Sequence, residues 1–207
     1  MADLSCGTLT GVVMQRGAAL DLNGHAIVTF GAAVHADFDR SGRISVKGPG
    51  QISGCDIAIA TSGGIDDRRR VIASNLDVVG CTIGIAGSSV RVDDVSVTGS
   101  LAAGIYADFG VIGKNVVASN NGTFGVVVPY GPVRIRNLTA NGNGWQGVLA
   151  AKASLRDSTV TGNDVANGID IGTTHRPSLK AVTCGLSAHE PFLAHVAGPP
   201  WGVCAND

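Results

Sequence analysis

Two motifs run through this chain in step with one another, and together they leave few folds open to it. The first is clearest in Gly104-Ile-Tyr-Ala-Asp-Phe109: a small residue, a buried aliphatic, an outward residue, a small residue, then another outward one. Ala33-Val-His-Ala-Asp-Phe38 nearly repeats it, and shorter copies start at Ala58, Gly84, Gly125, Gly147 and Gly168, at intervals of 20 to 26 residues. The second motif is an Asn or Asp at positions 23, 75, 94, 115, 137 and 157, with Pro49 in the same phase, each 9 to 11 residues ahead of a copy of the first. A repeat of this length marks a solenoid or related array. Asn and Asp tolerate left-handed backbone angles, so they suit a sharp bend between strands, and stacked Asn side chains can hydrogen-bond along the pile.

On either side of the bend the residues alternate with period two, as in Val90-Arg-Val-Asp93 and Val133-Arg-Ile-Arg136. Each repeat reads strand, bend, strand, loop, strand, loop. Thirty glycines, few charges and much Val, Ile, Ala and Thr favour strands and turns over helices. The expected fold is all-β: a right-handed single-stranded parallel β-helix of seven to eight coils, its three parallel sheets stacked at about 4.8 Å per coil. It fills residues 1–207 as one domain, with about 189–207 as a C-terminal cap. The lack of helical segments argues against a leucine-rich repeat, and the lack of a Trp-Asp signature argues against a propeller.

A formal net charge of -1 argues against a general nucleic-acid binder. No apolar run approaches the roughly 20 residues of a membrane span. The opening Met-Ala-Asp-Leu-Ser-Cys does not read as a leader, and Ala2-Asp3 suits the downstream side of a cleavage site, so a secreted or periplasmic location is the expectation. The five cysteines contain no C-x-x-C pair, which argues against structural zinc. Cys184 and Cys204 flank the last segment and are candidates for a staple. Cys55 and Cys81, at equivalent places in successive repeats, read as stacked half-buried thiols.

The segment Leu20-Asp-Leu-Asn-Gly-His-Ala-Ile27 and the repeated Gly-Ile and Gly-Val copies resemble the right-handed parallel β-helix proteins of the pectate-lyase-like superfamily. That resemblance implies an extended polysaccharide lying across the sheet that holds the first motif. It matches no catalytic motif residue by residue, and members of the superfamily include lyases, hydrolases, epimerases and adhesins.

Alternation places His35, Ala60, Ala86, Tyr106, Val127, Leu149 and Asp170 in one outward column, with Asp37, Ser62, Ser88, Asp108, Pro129, Ala151 and Gly172 in the next. Three polar islands follow: His35 with Asp37, Asp39 and Arg40; Tyr106, Asp108 and Tyr130; and Lys152, Asp170 and His175. Eliminating across a uronate needs a cation for the carboxylate, a base for the C5 proton and an acid for the leaving oxygen. Lys152 or Arg68 can neutralise, His175 or Lys152 can act as base, and Tyr106 or Tyr130 can be the acid. Asp108 and Asp170, the carboxylates hydrolysis would use, are expected about three coils apart, too far for the usual geometry. Phe124 and Trp145 lie in loops beside these columns and suit stacking on sugar rings. Asp66 and Asp67 admit a calcium ion without an ordered ligand motif.

A further column, Asp93, Lys114, Arg136 and Arg156 flanked by Arg91 and Arg134, suits an anionic ligand or polymer. The plainer account of each of these groups is a solvated strand face. The leading expectation is a carbohydrate-active protein, specifically a polysaccharide lyase on an anionic substrate. The alternative is a non-catalytic glycan-binding or structural solenoid, with a homo-oligomer open in either case. A third is a small-molecule enzyme built on the long loops around Arg68 and Asp39.

Overall fold

The structure, a computed structural model, describes residues 3–7, 11–37, 41–62, 68–190 and 198–207. These residues are all β. Sixteen strands pair in parallel with their counterparts one coil away and make a solenoid of about eight turns, the expected fold class.

The repeat sets the register. Val34 pairs with Ile59, and Ile85, Ile105, Val126 and Val148 continue that column, all fully buried. Each such side chain contributes roughly 1.5–3 kcal/mol by leaving water, which is what holds the coils to one inward face. The in-phase marker is the bend: Asn23, Asn75, Asp94, Asn115, Asn137 and Asp157 have φ between 45° and 58°. Pro49 takes the same place after a cis peptide, and Ala181 makes the bend of the last coil at φ 52°. Along the bend Asn137 Nδ2 donates to Asn115 Oδ1 at 2.9 Å, and Asn115 Nδ2 donates to Asp94 Oδ1 at 2.6 Å.

Three outward faces result. The first carries the column His35, Ala60, Ala86, Tyr106, Val127, Leu149, which continues through Gly172 to Ala188. The second precedes the bend and bears most of the charge. The third follows the bend and carries few charges, with Gln51, Asp77, Ser96, Val117, Thr139, Thr159 and Thr183 in one column.

Asp170 is not in the outward column where alternation put it. Val148 pairs with Ile171, so the last coil is shifted by two residues and Asp170 aligns with Gly147. A two-residue shift preserves the inward–outward pattern, so alternation alone cannot detect it.

Cys55 and Cys81 are a disulfide between successive coils, not a pair of stacked thiols, and Cys184 is bonded to Cys204. Each cross-link closes a loop of 20 to 26 residues, worth about 3 kcal/mol in the loop-entropy account. The second ties down the segment from 198 onward. There Pro200 bridges Ala188, and the Asp207 carboxylate accepts hydrogen bonds from Ser187, Val203 and Cys204. The chain leaves the ladder for its two long insertions at the paired residues Asp37 and Ser62 and re-enters it at the paired residues Ser41 and Arg68. Asp39, Arg40, Asp66, Asp67 and the Arg68 side chain lie outside the described residues.

Candidate functional site

The candidate groups for elimination fall into separate places. Tyr106 and Asp108 are bonded, with the phenol donating to the Asp108 carboxylate at 3.0 Å. Burial of the phenol, then the Asp108 hydrogen bond and charge and the nearby Tyr130, push the Tyr106 pKa up to about 12. At neutral pH Tyr106 is therefore a protonated donor. Tyr130 is exposed one coil on.

Lys152 lies two coils from Asp108, about 10 Å along the solenoid, on the second face. His175 docks on the residue before Lys152: its backbone N–H donates to the Ala151 carbonyl at 3.0 Å, and its Nδ1 lies 3.2 Å from the same oxygen. His35 stands three coils from Tyr106, and Asp37 faces the buried Arg69 at 3.8 Å.

Asp170 is removed from the group altogether, because it is 2% exposed and closes a buried ladder. Asn121 donates through its backbone N–H and its Nδ2 to Asn143 Oδ1, Asn143 donates in the same way to Asn163 Oδ1, and Asn163 does so to Asp170 Oδ1, all at 2.8–3.0 Å. The Gly185 N–H takes the other carboxylate oxygen at 2.6 Å. This ladder explains the glycine that heads the three motif copies beside it. A Cβ at Gly104, Gly125 or Gly147 would stand 2.7–3.0 Å from the Nδ2 of Asn121, Asn143 or Asn163. In the sequence its signal is the Asn at 121, 143 and 163, a second series at nearly the same period inside Gly-rich loops.

Those same loops build a pocket that the sequence reading touched only through Phe124 and Trp145. The two rings meet edge to face, with centroids 5.1 Å apart, and Trp145 remains 46% exposed. Phe124 and Tyr106 cover Ala103, Val127 and Leu149, which is why two outward residues of the first face are buried. Behind the indole, a pocket of about 260 Å³ is lined by Gln146, Asp164, Asn167 and Glu190. Gln146 is 5% exposed; its Nε2 donates to Glu190 at 2.9 Å and to Asp164 at 3.4 Å, and its Oε1 has no partner. Asp164 also accepts from the Asn167 amide at 3.1 Å, which fixes the turn that forms the pocket's rim. An exposed aromatic plane beside convergent acceptors and an amide donor is suited to an apolar ring face with hydroxyls at its edge.

The second face differs from both. In its column next to the bend, Lys47, Ser74, Asp93, Lys114, Arg136, Arg156 and Lys180 align in register. The adjacent column carries Arg91 and Arg134, and the outer one Arg43, Arg70 and Lys152. Ten of the chain's fifteen lysines and arginines thus share one face. Arg91 is paired with Asp93 at 2.9 Å, and Arg136 and Arg156 share Asp157 at 3.1 and 3.3 Å.

Comparison with protein-family models, with curated proteins and with solved structures finds no match to this chain, so what it does is argued from these three arrangements.

Proposed function

We propose that this protein is a carbohydrate-binding β-solenoid that takes a sugar ring in the Trp145 pocket. The observation that carries the reading is the indole held edge-on by Phe124 at 5.1 Å, exposed above a floor of Gln146, Asp164, Asn167 and Glu190. The apolar face of a pyranose stacks on the indole, and its hydroxyls donate to the two carboxylates. A floor with two carboxylates disfavours a uronate at this position and selects a neutral sugar. Binding rather than hydrolysis fits the acids. Although one amide nitrogen reaches both, Asp164 is committed to its own turn through Asn167. Two disulfides support export to an oxidising compartment, secreted or periplasmic.

Titration with a panel of neutral oligosaccharides, followed by tryptophan fluorescence, tests the reading. Only Trp145 and Trp201 contribute, and Trp201 packs on His189 at the cap. At least one glycan is expected to shift the emission, with Trp145→Ala weakening its binding by roughly tenfold or more. A panel that leaves the emission unchanged refutes it.

A lyase of the pectate-lyase-like kind, eliminating on a uronate polymer, is the second reading. Its support is His175 held at the Ala151 carbonyl, next in sequence to Lys152, which puts a cation and a base on adjoining coils. Unsaturated product from polygalacturonate or alginate, lost in Lys152→Ala and His175→Ala, is its signature.

A further inference from the structure

The second face carries a line of charge that the sugar pocket does not use. Arg43 and Arg70 are paired neighbours in the outer column, and Arg91 follows one coil on in the middle column. Lys114, Arg136, Arg156 and Lys180 then continue in the column beside the bend. Seven successive coils thus present one cation each, as a stripe that crosses the face obliquely along the solenoid axis. The side chains are exposed on strands whose alternate residues are core, so their positions are fixed by the ladder and not by a loop.

Arg43, Arg70, Lys114 and Lys180 have no ion-pair partner among the described residues, and Asp157 is divided between two arginines. Where successive cations share a column the step is near the coil rise of about 4.8 Å, and at the two changes of column, Arg70 to Arg91 and Arg91 to Lys114, it is about 8 Å, which is no more than the roughly 8 Å Debye length at physiological salt. The charges therefore act together, and in the free protein they repel one another. A chain whose own negative charges recur at a similar step relieves that repulsion at every coil.

From this we infer that the second face binds a linear acidic polysaccharide, one anionic group per sugar, laid along the solenoid axis. The three columns offer Ser, Gly, Pro, Ile and one carboxylate, Asp93, between the cations, and Phe109 stands at their outer margin, where it lines a pocket with Arg70 and Arg91. Single-stranded nucleic acid is held by stacking of successive bases as well as by charge, and one ring at one margin gives no run of stacking platforms. The site stands apart from the Trp145 pocket, which lies in the loops leading into the first face.

The test measures binding of polygalacturonate (carboxylate) and dextran sulfate (sulfate), with uncharged dextran and a thymidine oligonucleotide alongside, from low to physiological salt. The variant combining Lys114→Gln, Arg136→Gln, Arg156→Gln and Lys180→Gln removes four exposed charges and no core atom, and its urea midpoint shows that it folds. One or both acidic glycans are expected to bind wild type, and the anion preferred tells carboxylate from sulfate. The variant should bind at least about 30-fold more weakly, with the log–log salt slope shallower by roughly three. Arg136→Lys with Arg156→Lys should stay within about threefold of wild type, since the line of charge is kept. Equal binding by the fourfold variant, no binding of either glycan at low salt, or tighter binding of the oligonucleotide than of both glycans overturns the inference. Fluorescence of Trp145 reads the sugar pocket separately, so failure of one site leaves the other standing.

Discussion

Asp170 stands where the four coils before it have Gly84, Gly104, Gly125 and Gly147, and the exchange shows what that position does. Glycine is used while another asparagine amide follows in the ladder; when the amides end at Asn163, a carboxylate supplies the last acceptor. Asp170→Ala strips partners from two buried donors on Asn163 and from the Gly185 N–H, and should cost about 2–4 kcal/mol in urea unfolding. Asp170→Asn, which keeps one acceptor, should cost about half as much. At Tyr106 the prediction concerns pH. Its phenol ionises near 12 in the fold against about 10 in the open chain. The stability this provides is complete below pH 10 and is lost as pH rises from 10 to 12. In a Tyr130→Phe background, ultraviolet titration should place the remaining phenolate near pH 12, and Asp108→Asn should move it down. The roles of Asp170, Gln146 and Glu190 were illegible in the sequence because their partners are set by where separate loops meet, at sequence separations from 7 to 44 residues.

Within one coil, the bend is the element on which the sequence spoke most directly. A non-glycine residue at φ near 50° is cheap only for Asn and Asp, and six of the marker positions proved to be such bends. Asn137→Gly should therefore change stability by only a few tenths of a kcal/mol apart from its lost side-chain bond to Asn115, whereas Asn137→Val should cost upward of about 1–2 kcal/mol. Thermal melts of the two variants decide it. The loops that lead into the first face were harder to read. Their Asn-Gly runs look like solvated turns, yet Asn143 and Asn163 are 1–2% exposed and carry the ladder. Local composition cannot distinguish an amide that faces water from one that faces the amide of the next coil.

At the scale of the whole molecule, register and core were legible because one period governs both, and the location of a site was not, because sites here depend on where loops meet. The disulfide between Cys55 and Cys81 illustrates the limit: equivalence in the repeat placed the two sulfurs side by side without saying they were bonded. Reduction of both disulfides should lower the melting temperature by roughly 10–20 °C in calorimetry with and without a phosphine reductant. The stacking itself has one more consequence. Since each coil is held by the two beside it, the 22-residue stretch from Val116 to Asn137 can serve as an exchangeable tile. Duplicating it would lengthen the basic stripe by one step, and excising it would shorten the stripe likewise. The reach of this surface along a polymer is thus counted in whole repeats, and relatives that differ in tile number would differ in the length of chain they grip while keeping every contact of a kind already present.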